Sequence, residues 1–166
     1  MNLVRYSKIA TLAAGAFLLA ACTGYDTEAP IVEDTYEEPA GAVAGSQQDL
    51  EDNVGDRIYF DYDRYDLDDS DMAILRRQAA WLKMHPSVSL LIAGNCDERG
   101  TREYNLALGN RRAQSAKDFL VAQGIDGARL STISYGKERP TCGSSDEGCW
   151  QLNRNDIMTV TGGPSS

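Results

Sequence analysis

Between Thr23 and Val54 the chain carries nine acidic residues (Asp26, Glu28, Glu33, Asp34, Glu37, Glu38, Asp49, Glu51 and Asp52) and no Lys or Arg. Pro30, Pro39 and three glycines interrupt the stretch, and its few apolar residues follow neither a helical nor a strand period. Such a segment buries too little apolar surface to offset the entropy of ordering it, so it reads as a disordered linker. Whatever folds must therefore be built from residues 55–162, with 163–166 left as a tail. As a flexible coil the 32-residue spacer would span roughly 30 Å root-mean-square, and drawn out about 110 Å.

What precedes the spacer explains why one is needed. Arg5 and Lys8 stand before an apolar run, Ile9 to Ala21, that ends in small residues. This is the pattern of a secretory signal peptide, and the run is too short for a membrane span, which takes about 20 apolar residues. Leu19-Ala20-Ala21-Cys22 reads as a bacterial lipobox, cut before Cys22, whose thiol and freed amine would be acylated. Several chains together anchor firmly, at about 0.8 kcal/mol per buried CH2. Thr23 occupies the place where an Asp would favour inner-membrane retention, so the expected address is the outer membrane. Cleavage would leave 145 residues, enough for one domain and a tail. Residues 55–166 hold 16 acids and 14 bases, so neither nucleic acid nor an anionic lipid surface is an implied partner.

Beyond Asp56 the pattern changes. Arg57 to Tyr62 alternates like a strand, and the acids Asp63, Asp66, Asp68, Asp69 and Asp71 lead into a helix carrying Met72, Leu75, Ala79 and Leu82, closed at His85-Pro86. Val88 to Ala93 is a second strand. Thr101 can cap a long helix whose stripe of Leu106, Gly109, Ala113, Ala116 and Leu120 is narrow enough to pack close to a sheet. Leu130 to Tyr135 and Asp156 to Thr161 complete the pattern, with a helical turn around Trp150. The order predicts an α/β fold, a two-layer β-α-β-α-β-β sandwich with two main helices on one face of a small mixed sheet.

No nucleophile elbow, phosphate loop or zinc pair is present, and His85, the one histidine, suits a solvated helix end. The chain is expected to be no enzyme and to need no metal or cofactor. The polar run from Gly94 to Ala113 is dense in turn residues and guanidinium groups instead. Asn105, Leu108 and Arg112 share a helix face and could look toward Asp97. From the residues alone, Asp97 could equally form an intramolecular salt bridge with Arg112 or serve as a turn residue.

Tyr59-Phe60-Asp61-Tyr62-Asp63, Asp97-Glu98-Arg99-Gly100-Thr101, Glu103-Tyr104-Asn105, Arg111-Arg112-Ala113, Ser134 to Pro140 and Asn153-Arg154 resemble the OmpA-like peptidoglycan-binding family, in its lipoprotein branch. The resemblance implies a ligand, the diaminopimelate side chain of peptidoglycan, whose ammonium would meet Asp97 and whose carboxylate would meet Arg112. A guanidinium fork suits a carboxylate as Lys does not. It also implies lesser roles near the site for Phe60, Asp61, Asn105, Leu108 and Arg154, and protein partners of a Tol-Pal type system, TolB among them. Two departures stand out: Asn95 replaces the commoner His before the Asp, and Asn155 replaces the second Arg of an Asn-Arg-Arg motif.

Cys142 and Cys149 flank a short loop, and in an oxidising compartment they are expected to form a disulfide, leaving Cys96 unpaired.

Overall fold

The computed structural model describes residues 41–163. Strand β1 (Arg57–Tyr59) is followed by the helix Asp69–Met84, strand β2 (Ser89–Asn95), the helix Arg102–Ala122, strand β3 (Leu130–Gly136), a short helix Glu147–Asn153 and strand β4 (Asn155–Gly162). A further short helix, Gln47–Asp49, precedes them all. In chain order the helices are α1 to α4.

The helix starts follow from their first residues. Asp68 and Asp71 form a reciprocal capping box at α2, the acid cluster acting as a helix entry. Thr101 caps α3 through the amide of Tyr104. The sheet runs β1-β4-β2-β3, with β2 and β3 parallel and β4 antiparallel to both its neighbours. Helices α2 and α3 close over a core of Ile58, Leu75, Leu82, Leu90, Ile92, Ala113, Ala116, Leu120 and Met158. Burying each leucine or isoleucine there contributes about 1.5 to 3 kcal/mol.

Helix α3 approaches the sheet most closely where Gly109 meets Gly94. A Cβ on Gly94 would lie 1.9 Å from the Gly109 carbonyl oxygen, so no other residue fits. That contact sets α3 against the end of β2 and brings Asn105, Leu108 and Arg112 over the turn that follows β2. The expected stripe is shifted slightly: Leu108 is buried and Leu106 only half-buried. The residues between Gly94 and Gly109 are where polar groups converge.

The expected spacer boundary at Val54 is corrected. Ser46 to Val54 form α1 and a following π turn, and Leu50 is fully buried in the core. Asp49 organises the segment, accepting hydrogen bonds from the Gly45 amide, the Trp81 indole and the Asn53 amide, each at 2.8 Å. These bonds, that from Gly45 first, hold the Asp49 carboxyl below its usual value. The Gln47 side chain accepts from the Val160 amide at 2.7 Å, standing in for β1 where that strand has not yet begun. The acidity is real, but one leucine and three donors suffice to dock the segment. His85 is accordingly half-buried, its ring 5.0 Å from that of Trp81, not a solvated helix end. Among the described residues no helix is long and apolar enough to cross a membrane. Cys22 lies outside the described residues.

Candidate functional site

The C-terminal end of β2, the start of β4 and the first three turns of α3 enclose a cavity of about 190 Å3 lined by Asp97, Arg112, Arg154, Asn105, Leu108 and Arg99, with Tyr62, Asp63 and Tyr104 at its side. The expected Asp97 and Arg112 therefore share one cavity, but they do not pair with each other. Asp97 is ion-paired to Arg99 at 2.6 Å and to Arg154 at 3.1 Å. The Asp97–Arg112 salt bridge left open by the sequence is excluded.

Asp97 is almost wholly buried. Burial alone would push its carboxyl up, but the hydrogen bonds from Arg99 and Arg154 outweigh that and hold it below the usual carboxylate range. The Arg99 amide adds a further donor at 3.1 Å, closing a local turn. Arg154 is itself buried and locked by Phe60 O at 3.0 Å, Glu147 at 2.7 Å and the Gln151 side chain. The disulfide joining Cys142 and Cys149, with Cα atoms 5.1 Å apart, closes the loop that leads into α4 and so to Glu147.

Arg112 is the largest fully buried side chain of the described residues. Its Nε donates to Arg64 O at 2.8 Å, Nη1 to Asn95 O at 2.8 Å and to the Cys96 sulfur at 3.6 Å, and Nη2 to Asp61 O at 3.1 Å. A guanidinium has five N–H donors, so one on Nη2 is left over. No carboxylate forms an ion pair with Arg112 among the described residues. Burial lowers its pKa, opposed by the nearby Cys96 and Asp156, yet a guanidinium remains charged. The Phe60 ring supports it, 4.9 Å from Cζ.

The other expected positions divide. Asn105 lines the cavity and donates to Arg99 O at 2.8 Å, and Leu108 supplies an apolar wall. Phe60 and Asp61 are not part of the lining: they act from beneath, through backbone carbonyls that hold Arg154 and Arg112. The two departures from the family pattern touch each other, because Asn95 donates to the Asn155 side chain at 2.9 Å. Arg99 was missed although it stands in the matched run. Its guanidinium lies 4.2 Å from both the Tyr62 and the Trp150 ring centroids, and an Asp-x-Arg pair in a turn was the available signal. Burial pushes the Cys96 thiol up to about 11, so it is no nucleophile at neutral pH.

A two-layer fold with a guanidinium and a carboxylate in one cavity at this sheet end defines a class, and comparison gives it a name. Residues 59–154 match the OmpA family. A peptidoglycan-associated lipoprotein of Rhizobium meliloti is 52% identical over 125 residues, covering 75% of this chain and 70% of that protein. One from Mesorhizobium japonicum is 44% identical over 147 residues, 89% and 88% of the two chains. The crystal structure of the peptidoglycan-associated lipoprotein from Burkholderia pseudomallei superposes with a TM-score of 0.62 at 42% identity, over 64% of this chain and 90% of that one. The C-terminal domain of Helicobacter pylori MotB shares the fold, with a TM-score of 0.59 at 20% identity, over 67% of this chain and 87% of that one. The chain belongs to the OmpA family, among its peptidoglycan-associated lipoproteins.

Proposed function

We propose that the chain is a non-enzymatic outer-membrane lipoprotein, acylated at Cys22, whose cavity binds peptidoglycan through the diaminopimelate side chain of the stem peptide. The names of its relatives support the wall as ligand, and the chemistry of the cavity supports the diaminopimelate. One observation carries the reading: a buried guanidinium with no carboxylate partner and a spare N–H faces the same cavity as a buried carboxylate. Diaminopimelate ends in an ammonium and a carboxylate on one carbon. The carboxylate takes the spare Nη2 N–H of Arg112, and the ammonium takes Asp97, each charge meeting its opposite out of water. Leu108 packs against the methylene stem.

With a lipid at one end and the wall at the other, the protein tethers the outer membrane to the peptidoglycan as part of a Tol-Pal type system, supporting envelope integrity and cell division. Calorimetric titration of the full chain with a muropeptide ending in diaminopimelate tests the ligand. Saturable one-to-one binding is expected, and binding equally tight to a muropeptide carrying lysine at that position would overturn it, because lysine lacks the second carboxylate. Mass spectrometry of the mature N-terminus tests the anchor, which an unmodified Cys22 would remove.

A second reading concerns protein docking. Tyr62, Tyr65 and Tyr104 are exposed around the cavity, with Arg111 lying over the last two rings, and aromatic residues with arginine are the composition of binding hot spots. A partner such as TolB would then compete with the wall for one face, which a muropeptide competition assay would detect.

A further inference from the structure

Asp97 is already occupied in the free protein. Two N–H groups of the Arg99 side chain reach its carboxylate, Nη2 at 2.6 Å and Nε at 3.2 Å, a two-pronged grip of the kind an ammonium ligand would have to replace. The second cation on Asp97, Arg154, is fixed by partners on three sides and is only 4% exposed at its side chain, whereas Arg99 is 29% exposed. If one of the two gives way, it is Arg99. It also has somewhere to go: Glu147 Oε2 lies 3.6 Å from Nη1, and the Tyr62 and Trp150 ring centroids each lie 4.2 Å from the guanidinium carbon.

We infer that Arg99 is a built-in stand-in for the ligand's ammonium, which the ligand displaces from Asp97 on binding, so that Arg99 sets the selectivity of the cavity. This rests on the reading of the cavity as the diaminopimelate clamp. The physical reason is charge balance. An empty cavity in which Asp97 kept only Arg154 and one amide would leave that buried carboxylate short of donors, and Arg99 removes that cost. The ligand then exchanges one cation for another, so an ammonium can enter, whereas a neutral group would leave Asp97 short of the bonds that Arg99 gave it. Arg99 therefore scales the affinity of every ligand down to the fraction of time that it leaves Asp97 free, and it discriminates against those that cannot replace it. Neither the amide of Arg99 nor its carbonyl, which accepts from Asn105, is lost when the side chain changes.

The test compares the full chain with its Arg99→Gln variant, titrated with a diaminopimelate muropeptide and with the same muropeptide amidated on its diaminopimelate carboxylate or acetylated on its amine. The variant is expected to bind the unmodified muropeptide about five- to tenfold tighter and to discriminate less against the acetylated one. Trp150 supplies a second readout. Its emission should change with saturation as Arg99 turns away in the parent chain, and this response should be absent from both Arg99→Gln and Trp150→Phe. Weaker binding by a folded Arg99→Gln variant would overturn the inference and make Arg99 a direct ligand contact. Unchanged affinity with an unchanged Trp150 response would also overturn it. If the parent chain itself shows no saturable binding, the clamp reading fails, and the displacement with it; the two failures are thus told apart by the parent titration.

Discussion

The Asp97 carboxylate takes its hydrogen bonds from two arginine side chains and one amide, whereas the Arg112 guanidinium, facing the same cavity, gives its own to three backbone carbonyls. Side chains can rotate away; the carbonyls of Asp61, Arg64 and Asn95 are fixed by the chain. One half of the site is therefore exchangeable and the other rigid. Among the described residues no carboxylate is ion-paired with the rigid half, whereas the exchangeable half is ion-paired twice. An anion gains from arriving, while a cation must first displace something. The order of events at such a site is set by its fixed half.

Replacing Arg112 should have the largest effect. Arg112→Ala removes a donor from three carbonyls, of which that of Asp61 keeps the Arg64 amide, and opens a cavity beneath Phe60. It should cost about 3 kcal/mol or more of stability, read as a lowered midpoint in urea, in addition to lost sacculus binding. A loss of binding with the midpoint unmoved would break the contrast between the two halves. Asp97→Asn is the complementary change. Arg154 keeps its bonds to Phe60, Glu147 and Gln151, so melting should fall by only a few degrees, while muropeptide affinity drops by about 30-fold or more, roughly 2 kcal/mol for one partner of a buried charge pair.

Acid should act on the same half. The Asp97 carboxyl is depressed in the folded protein, so its contribution is complete above the unfolded value, about 3.9, and is lost as pH falls through the folded one. Stability of the parent chain should thus decline below about pH 4 more steeply than that of Asp97→Asn. The smallest effect is expected at Asp156, a carboxylate on β4 that is fully buried with neither oxygen hydrogen-bonded. Burial pushes its pKa well up, against the pull of Arg112 and with the repulsion of Asp71. An acid raised in this way weakens the fold as pH rises from its unfolded value. Asp156→Asn should therefore raise the melting temperature by a few degrees at neutral pH, with the gain fading toward pH 4. A gain that did not fade would mean that the Asp156 charge is not its cause.

The layers of the fold were legible because their signals are local. Capping at Asp68 and Thr101, apolar spacing along α2 and the small residues of α3 lie within a few positions of what they determine. The site was legible as a set of residues through the family resemblance, but its internal pairing was not. Which arginine holds Asp97 depends on Trp150 and Glu147, contributed by α4, far along the chain. The hydrogen bond between Asn95 and Asn155 is likewise visible only once β2 and β4 are neighbours. The docked segment Ser46 to Val54 was hidden for a different reason: its composition is that of a solvated tail, and its attachment depends on one leucine and on acceptors that meet donors from α2 and β4.

That docked segment also decides how the domain is loaded. Gly45 lies against His85 and Val88, and a Cβ on Gly163 would contact Val88 and the Gly45 carbonyl, so the segment joins the domain at the start of β2 and the end of β4. The cavity lies at the opposite ends of these strands, at Asn95 and Arg154. Tension applied between chain and wall would run along two antiparallel strands, which bear it as shear across their whole ladder of hydrogen bonds and not as unzipping one bond at a time. If the chain tethers membrane to wall as proposed, the Asp49 junction, held by a few side-chain bonds and one leucine, is expected to yield before the strands.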